Sequence, residues 1–247
     1  MTQMTALTQM TALTETAVPA ETAVVREAPG DALLVVVDVQ NDFCHPAGTM
    51  AAAGRELTAV HRAVDRIEVL VDAARTAGVP VVFVRTEHGP ELDSAAWRHR
   101  LAPGIGPGSE PAAPNCRRGG WGAGFYRVTP RPGEWVAVKH RYSAFTGPGF
   151  AERLAGYGRR SLLFCGVTTD VCVESSLRSA VDHDYLATVV EDACAAYTEA
   201  EHDAAVAVIG RSFGRSFTTD ALVGRWRTPV DHGRAPKTRD KERRGET

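Results

Sequence analysis

The run Ala32–Val37 (ALLVVV) has no polar residue for six positions and then stops at Asp38. A strand exposed on one face alternates apolar with polar residues. One that is apolar throughout is buried on both faces, as in parallel sheets covered by helices on either side. Val79–Val84, Trp135–Val138, Ser161–Cys165 and Tyr185–Val190 read as further strands, with a short last one at Ser216–Thr219. Helical spacing lies between them. Arg55–Ala77 carries Leu57, Val60, Val64, Ile67 and Val71 and closes at Gly78. Shorter helices are expected near Gly149–Leu154, after Asp170, and over Glu199–Ile209. Strands separated by helices or long crossovers imply an α/β fold with a parallel sheet.

Sites in such sheets form outside the carboxyl ends of the strands. Asp38, Lys139 and Cys172 each lie at the end of a different expected strand or in the turn beyond it, so all three should meet at one rim. A carboxylate at the end of a buried strand is costly unless paired or working. Lysine is scarce: the chain has 25 arginines and three lysines, and Lys237 and Lys241 lie near its end. Lys139 is thus the lone lysine of the expected folded region, where a compact ammonium differs from a guanidinium. Cys172 follows Thr168, Thr169 and Asp170, residue types that cap helices. A thiol in a first helical turn should have its pKa lowered by the helix dipole. Ser175, Ser176 and Ser179 share its face and leave room beside the sulfur. Together the three side chains describe nucleophilic acyl transfer: Asp38 takes the thiol proton, Lys139 holds both anions, and N–H groups near Thr168 and Cys172 receive the oxyanion.

Other chemistries find less support. The eight histidines are scattered without a ligand spacing, and no GxSxG elbow is present. His61 and His202 read as surface or packing residues. Arg118–Tyr126 (RGGWGAGFY) follows no strand and is no nucleotide loop. Five cysteines, an odd number without close pairs, argue for reduced thiols; Cys165 and Cys194 read as core filler. A formal charge of −2 gives no reason to expect nucleic acid or a membrane as partner, and no stretch is long and apolar enough to span a bilayer. The start has neither a basic region nor an apolar signal core, so a cytoplasmic protein is expected. Residues 1–30, with TQMTAL repeated at Thr2–Leu7 and Thr8–Leu13, and residues 229–247 are expected to be disordered tails around one domain over 31–228.

VVVDVQNDF with Asp38, VKHRYSAF with Lys139 and GVTTDVCVESS with Cys172 resemble the three signatures of the isochorismatase-like cysteine hydrolases, over about Asp31 to Leu222. That superfamily includes nicotinamidases and N-carbamoylsarcosine, ureidoacrylate and biuret amidohydrolases. The resemblance implies a three-layer α/β/α sandwich, Rossmann-like, with a six-stranded, mainly parallel sheet. It also implies an Asp38–Lys139–Cys172 triad, an oxyanion hole from the amides of Thr168 and Cys172, a cis peptide at Val167–Thr168, and a homo-oligomer, dimer or tetramer. No cofactor and no metal are implied, because RTEHGPEL after the second strand lacks the Asp-x-His motif of nicotinamidases. The glycine-rich stretch before Lys139 is similar to the ureidoacrylate branch, although Thr86 and His88 stand where its Asn and Trp are expected.

The expected substrate is a small carboxamide or ureido compound. Gln40, Phe43, His88, Trp121 and Tyr142 are the candidate pocket residues, with plain packing as the alternative for each. Two other functions stay open: a vinyl-ether hydrolase of the isochorismatase type, which would not need the sulfur, and a catalytically silent binding member.

Overall fold

In a computed structural model of the chain, residues 27–100 and 115–227 are described. The two expected tails therefore lie outside the described residues, apart from 27–30. The elements are β1 (Ala32–Val37), α1 (Asn41–Cys44), α2 (Thr49–Ala52), α3 (Thr58–Thr76), β2 (Val81–Thr86), α4 (Ala95–His99), β3 (Trp135–Lys139), α5 (Phe150–Ala155) and β4 (Ser161–Val167). A π-helical turn, Thr169–Val173, leads into α6 (Glu174–Asp182). Then come β5 (Leu186–Ala195), α7 (Glu199–Ser212), β6 (Gly214–Phe217) and α8 (Thr219–Arg227). Among the described residues no helix is long and apolar enough to cross a membrane.

The strands form a six-stranded, all-parallel sheet in the order β3-β2-β1-β4-β5-β6. Every residue of β1 and β4 is buried, because helices cover both faces of the sheet centre. The apolar stripe of α3 (Val60, Val64, Ile67, Leu70 and Val71) is buried in the same core, as the 3.6-residue period requires.

Register fixes where the carboxyl ends fall. Val37 stands opposite Val84 on one side and Gly166 on the other, and Thr86 pairs with Lys139. Asp38 thus starts beside the end of β4, while Lys139 ends β3 two strands away. At 4.7–4.9 Å per strand that gap is about 9–10 Å, which takes a long, straight side chain to cross. Gly166 lets β4 approach: its φ is +130°, and a Cβ there would collide with the Val37 backbone.

Several boundaries differ from the expectation. β5 continues through Glu191 and Asp192 to Ala195, because both acids are paired where they stand. Asp192 receives Arg66 Nε at 3.0 Å and the Thr219 backbone N–H at 2.7 Å, so it caps α8, a helix the sequence pattern did not reveal. The last strand is accordingly Gly214–Phe217, not Ser216–Thr219. The N-terminal boundary also moves. Glu27, assigned to a disordered tail, is buried, accepts Arg225 at 2.9 Å, and its carbonyl accepts the Trp226 indole at 2.8 Å.

Gly166→Ala should destabilise the chain by about 2–4 kcal/mol, because the new Cβ must push two central strands apart. Urea unfolding monitored by circular dichroism reads this directly; a midpoint equal to that of the wild type would contradict the close approach of β1 and β4.

Candidate active site

Asp38, Lys139 and Cys172 meet at the carboxyl rim. Lys139 Nζ lies 2.6 Å from Asp38 Oδ2 and donates to Cys172 Sγ at 3.4 Å. Asp38 is fully buried and adopts φ +54°, an uncommon backbone state for a residue other than glycine. Its backbone is held there: Asp38 N–H donates to Val84 O, and its own carbonyl accepts Gln40 N–H. Lys139 is almost entirely buried as well, its ammonium reaching across β2 to Asp38.

The charges set each other. Burial alone would push Lys139 down, but the Asp38 carboxylate and the neighbouring sulfur outweigh it and hold the ammonium above its ordinary value. Cys172 does not have the lowered pKa expected from its position. Although the residue keeps some exposure, burial of the sulfur and then the Asp38 carboxylate push the thiol up, and Lys139 offsets only part of this. The local fold differs too. Cys172 lies in the π-helical turn ahead of α6, and no side chain of Thr168, Thr169 or Asp170 caps it. The peptide bond between Val167 and Thr168 is cis. Burial and the neighbouring Asp38 thus both favour the protonated form of the sulfur.

Cys172 opens into a cavity of about 290 Å³ whose wall also includes Lys139, Thr168 and Asp170. Of the expected pocket residues, Phe43, His88 and Tyr142 line it; Gln40 and Trp121 do not. The Gln40 amide is a buried strut, donating to Thr86 O and Ala123 O and accepting Thr86 N–H, all at 2.8–2.9 Å. Trp121 is half exposed and packs edge-on against His45. The glycine-rich stretch around it is scaffolding: a Cβ at Gly122 would strike the Asp42 carboxylate. His88 is tied by Nδ1 to Asp93 at 2.8 Å and stacks on Trp97.

The cavity also uses residues the sequence reading missed. Arg100 lies 3.5 Å over the Trp97 ring and donates to the Tyr142 hydroxyl, and Arg141 faces Trp97 from the Lys139 loop. Tyr197 and Glu201 come from beyond β5. Ending that strand at Val190 hid them; with the strand end at Ala195, Tyr197 falls at the rim by the same rule that found Asp38. Asp170 Oδ1 is buried without a hydrogen-bond partner among the described residues. Nor do any three of their His, Cys, Asp or Glu side chains form a group that could hold a metal ion.

Fold and site together define an α/β protein with a thiol and an ammonium at the wall of one cavity at the rim of a parallel sheet, and a buried carboxylate in contact with that ammonium. The isochorismatase domain family matches residues 32–221, and the chain belongs to that family. Ureidoacrylate amidohydrolase RutB of Azorhizobium caulinodans is 32% identical, over 66% of this chain and 75% of that protein. Among solved structures, a cysteine hydrolase from Pseudomonas syringae pv. phaseolicola shares the fold with a TM-score of 0.69 at 24% identity, covering 80% of this chain and 93% of the other. N-carbamoylsarcosine amidase from Thermoplasma acidophilum superposes with a TM-score of 0.61 at 26% identity, over 77% and 97% of the two chains.

Lys139 and Cys172 both hold their protons more tightly folded than unfolded. Burial pushes the Cys44 thiol the same way, to about 12. The stability these groups contribute is complete below their unfolded pKa values, about 8.5 for cysteine and about 10.4 for lysine, and drains as pH rises towards the folded ones. Urea unfolding should show stability falling from about pH 8.5 upward, with a shallower fall in Cys172→Ala. A flat or rising profile would contradict the raised values.

Proposed function

We propose that this isochorismatase-family hydrolase is a cysteine amidohydrolase that cleaves a C–N bond of a small carboxamide or ureido compound through a thioester or thiocarbamate on Cys172. The observation that carries the reading is the contact of Lys139 Nζ with both Asp38 and the Cys172 sulfur at the wall of a cavity sized for a small molecule. Names of relatives, ureidoacrylate amidohydrolase and N-carbamoylsarcosine amidase, support the same bond type. The cavity adds its own support. Arg55, Arg100 and Arg141 line it together with Asp170 and Glu201, and the Asp170 oxygen that has no hydrogen-bond partner among the described residues is an acceptor for a substrate N–H.

In the proposed cycle Sγ attacks the substrate carbonyl as its proton passes to Asp38. The carbonyl oxygen becomes an oxyanion held by the backbone N–H groups of Thr168 and Cys172. Asp38 returns the proton to the departing nitrogen, ammonia leaves, and the acyl group stays on sulfur. Asp38 then takes a proton from water, which attacks the acyl carbon; the C–S bond breaks, the acid or carbamate leaves, and Asp38 returns the proton to the sulfur. Lys139, in contact with both Asp38 and the sulfur, offsets the negative charge that passes between them. The raised thiol pKa suits this order: the proton leaves as the bond forms, not beforehand.

Ammonia release should be measured with ureidoacrylate, N-carbamoylsarcosine and biuret, alongside mass spectrometry of the intact protein for an adduct on residue 172. Cys172→Ala and Asp38→Asn should each lose about 10³-fold or more in kcat, with the adduct absent from the former. Ammonia release that survives Cys172→Ala would overturn the role of the sulfur; no release from any of the three, with hydrolysis of an isochorismate-like vinyl ether that survives Cys172→Ala yet fails in Asp38→Asn, would overturn the amidohydrolase reading.

A further inference from the structure

The turn that carries Cys172 is held in an unusual way. Thr168, Asp170, Val171 and Cys172 all line the cavity, whereas Thr169 is fully buried away from it. The Thr169 hydroxyl meets the ring of His202 on α7, Oγ1 to Nδ1 at 2.9 Å. Lys139 donates to the sulfur, and Ser176 donates to the Cys172 carbonyl at 2.7 Å. Ser176 comes from the helix the turn leads into. His202 comes from a separate element, and α7 also brings Glu201 to the cavity wall.

We propose that His202 is a positioning residue, fixing the Cys172 turn through Thr169 so that the sulfur faces Asp38 and Lys139 and the Thr168 and Cys172 amides converge. This rests on Cys172 being the nucleophile. An imidazole suits the task because Nδ1 can accept from or donate to a hydroxyl, and the threonine O–H rotates to match. The ring is partly exposed and its other side borders a groove lined by Arg62, Asp65 and Arg66 of α3 and by Glu191 and Asp192 of β5. It fills no core vacancy there. What it supplies to the turn is a directed bond, and small misplacements of reacting atoms by distant changes cost about 10² in rate.

The probe is p-nitrophenyl acetate, whose acetyl group passes to a thiol as p-nitrophenolate leaves and the thiol proton passes to the base; it needs no knowledge of the natural substrate. The burst rate should fall about tenfold or more in His202→Leu and equally in Thr169→Val, with the double variant no slower than either. His202→Asn, which places an amide where Nδ1 stood, should recover to within about threefold of wild type. Should His202→Leu fail to fold, Thr169→Val, of the same shape without the hydroxyl, carries the comparison. A burst unchanged in both, or His202→Asn no better than His202→Leu, overturns the inference. Cys172→Ala separates the two claims: a full burst in that variant removes the nucleophile itself, whatever His202 does.

Discussion

The buried contact between the Lys139 ammonium and the Asp38 carboxylate is the constraint around which this molecule is arranged. Two charges taken out of water cost several kcal/mol each, and attraction at contact distance offsets this only while both partners stay in place. Losing one would leave the other buried and unpaired, about 3–5 kcal/mol worse. Such a pair is weak evidence for stability. It is better understood as a site held ready for a third member, the Cys172 sulfur, which shares the ammonium.

Three features of the backbone make that contact possible. Parallel register brings the ends of β1 and β4 level, Gly166 lets them touch, and Asp38 turns out of its strand at positive φ. Lys139 is the only member that comes from two strands away, and its length matches the gap. An arginine would reach as far, but it would bring a planar fork where a point charge must touch one oxygen and one sulfur. This gives a physical reason for one lysine in a domain otherwise written with arginine. The cavity wall is completed beyond the strand ends by Trp97 of α4 and by Arg100, Arg141, Tyr142 and Tyr197.

Much of this was legible in the sequence because burial on both faces leaves a continuous apolar run. Ala32–Val37 matched β1 residue for residue, and the rule that sites gather at carboxyl ends brought the three reactive side chains together. The rest was hidden by tertiary pairing. Glu191 and Asp192 look like the end of a strand, yet Arg66, Ser216 and the start of α8 satisfy them within β5, and the true end at Ala195 puts Tyr197 on the rim. Gln40 and Trp121 carry the residue types of a pocket but serve as a strut and a surface ring, a distinction that only partners reveal. His202, which read as surface or packing, is partly exposed and also meets the Thr169 hydroxyl of the Cys172 turn. The pKa of Cys172 shows the same limit: a helix start favours a thiolate, but burial and a facing carboxylate outweigh it.

If Asp38 is the base for Cys172, as proposed, then burial and the facing carboxylate should keep that thiol protonated until well above its ordinary range. The most direct test is the ultraviolet absorbance of the thiolate across pH, taken as the difference between wild type and Cys172→Ser. Ionisation is expected above the ordinary thiol value of about 8.5, moving down in Asp38→Asn. A thiolate already present at neutral pH, or a titration indifferent to Asp38, would contradict it.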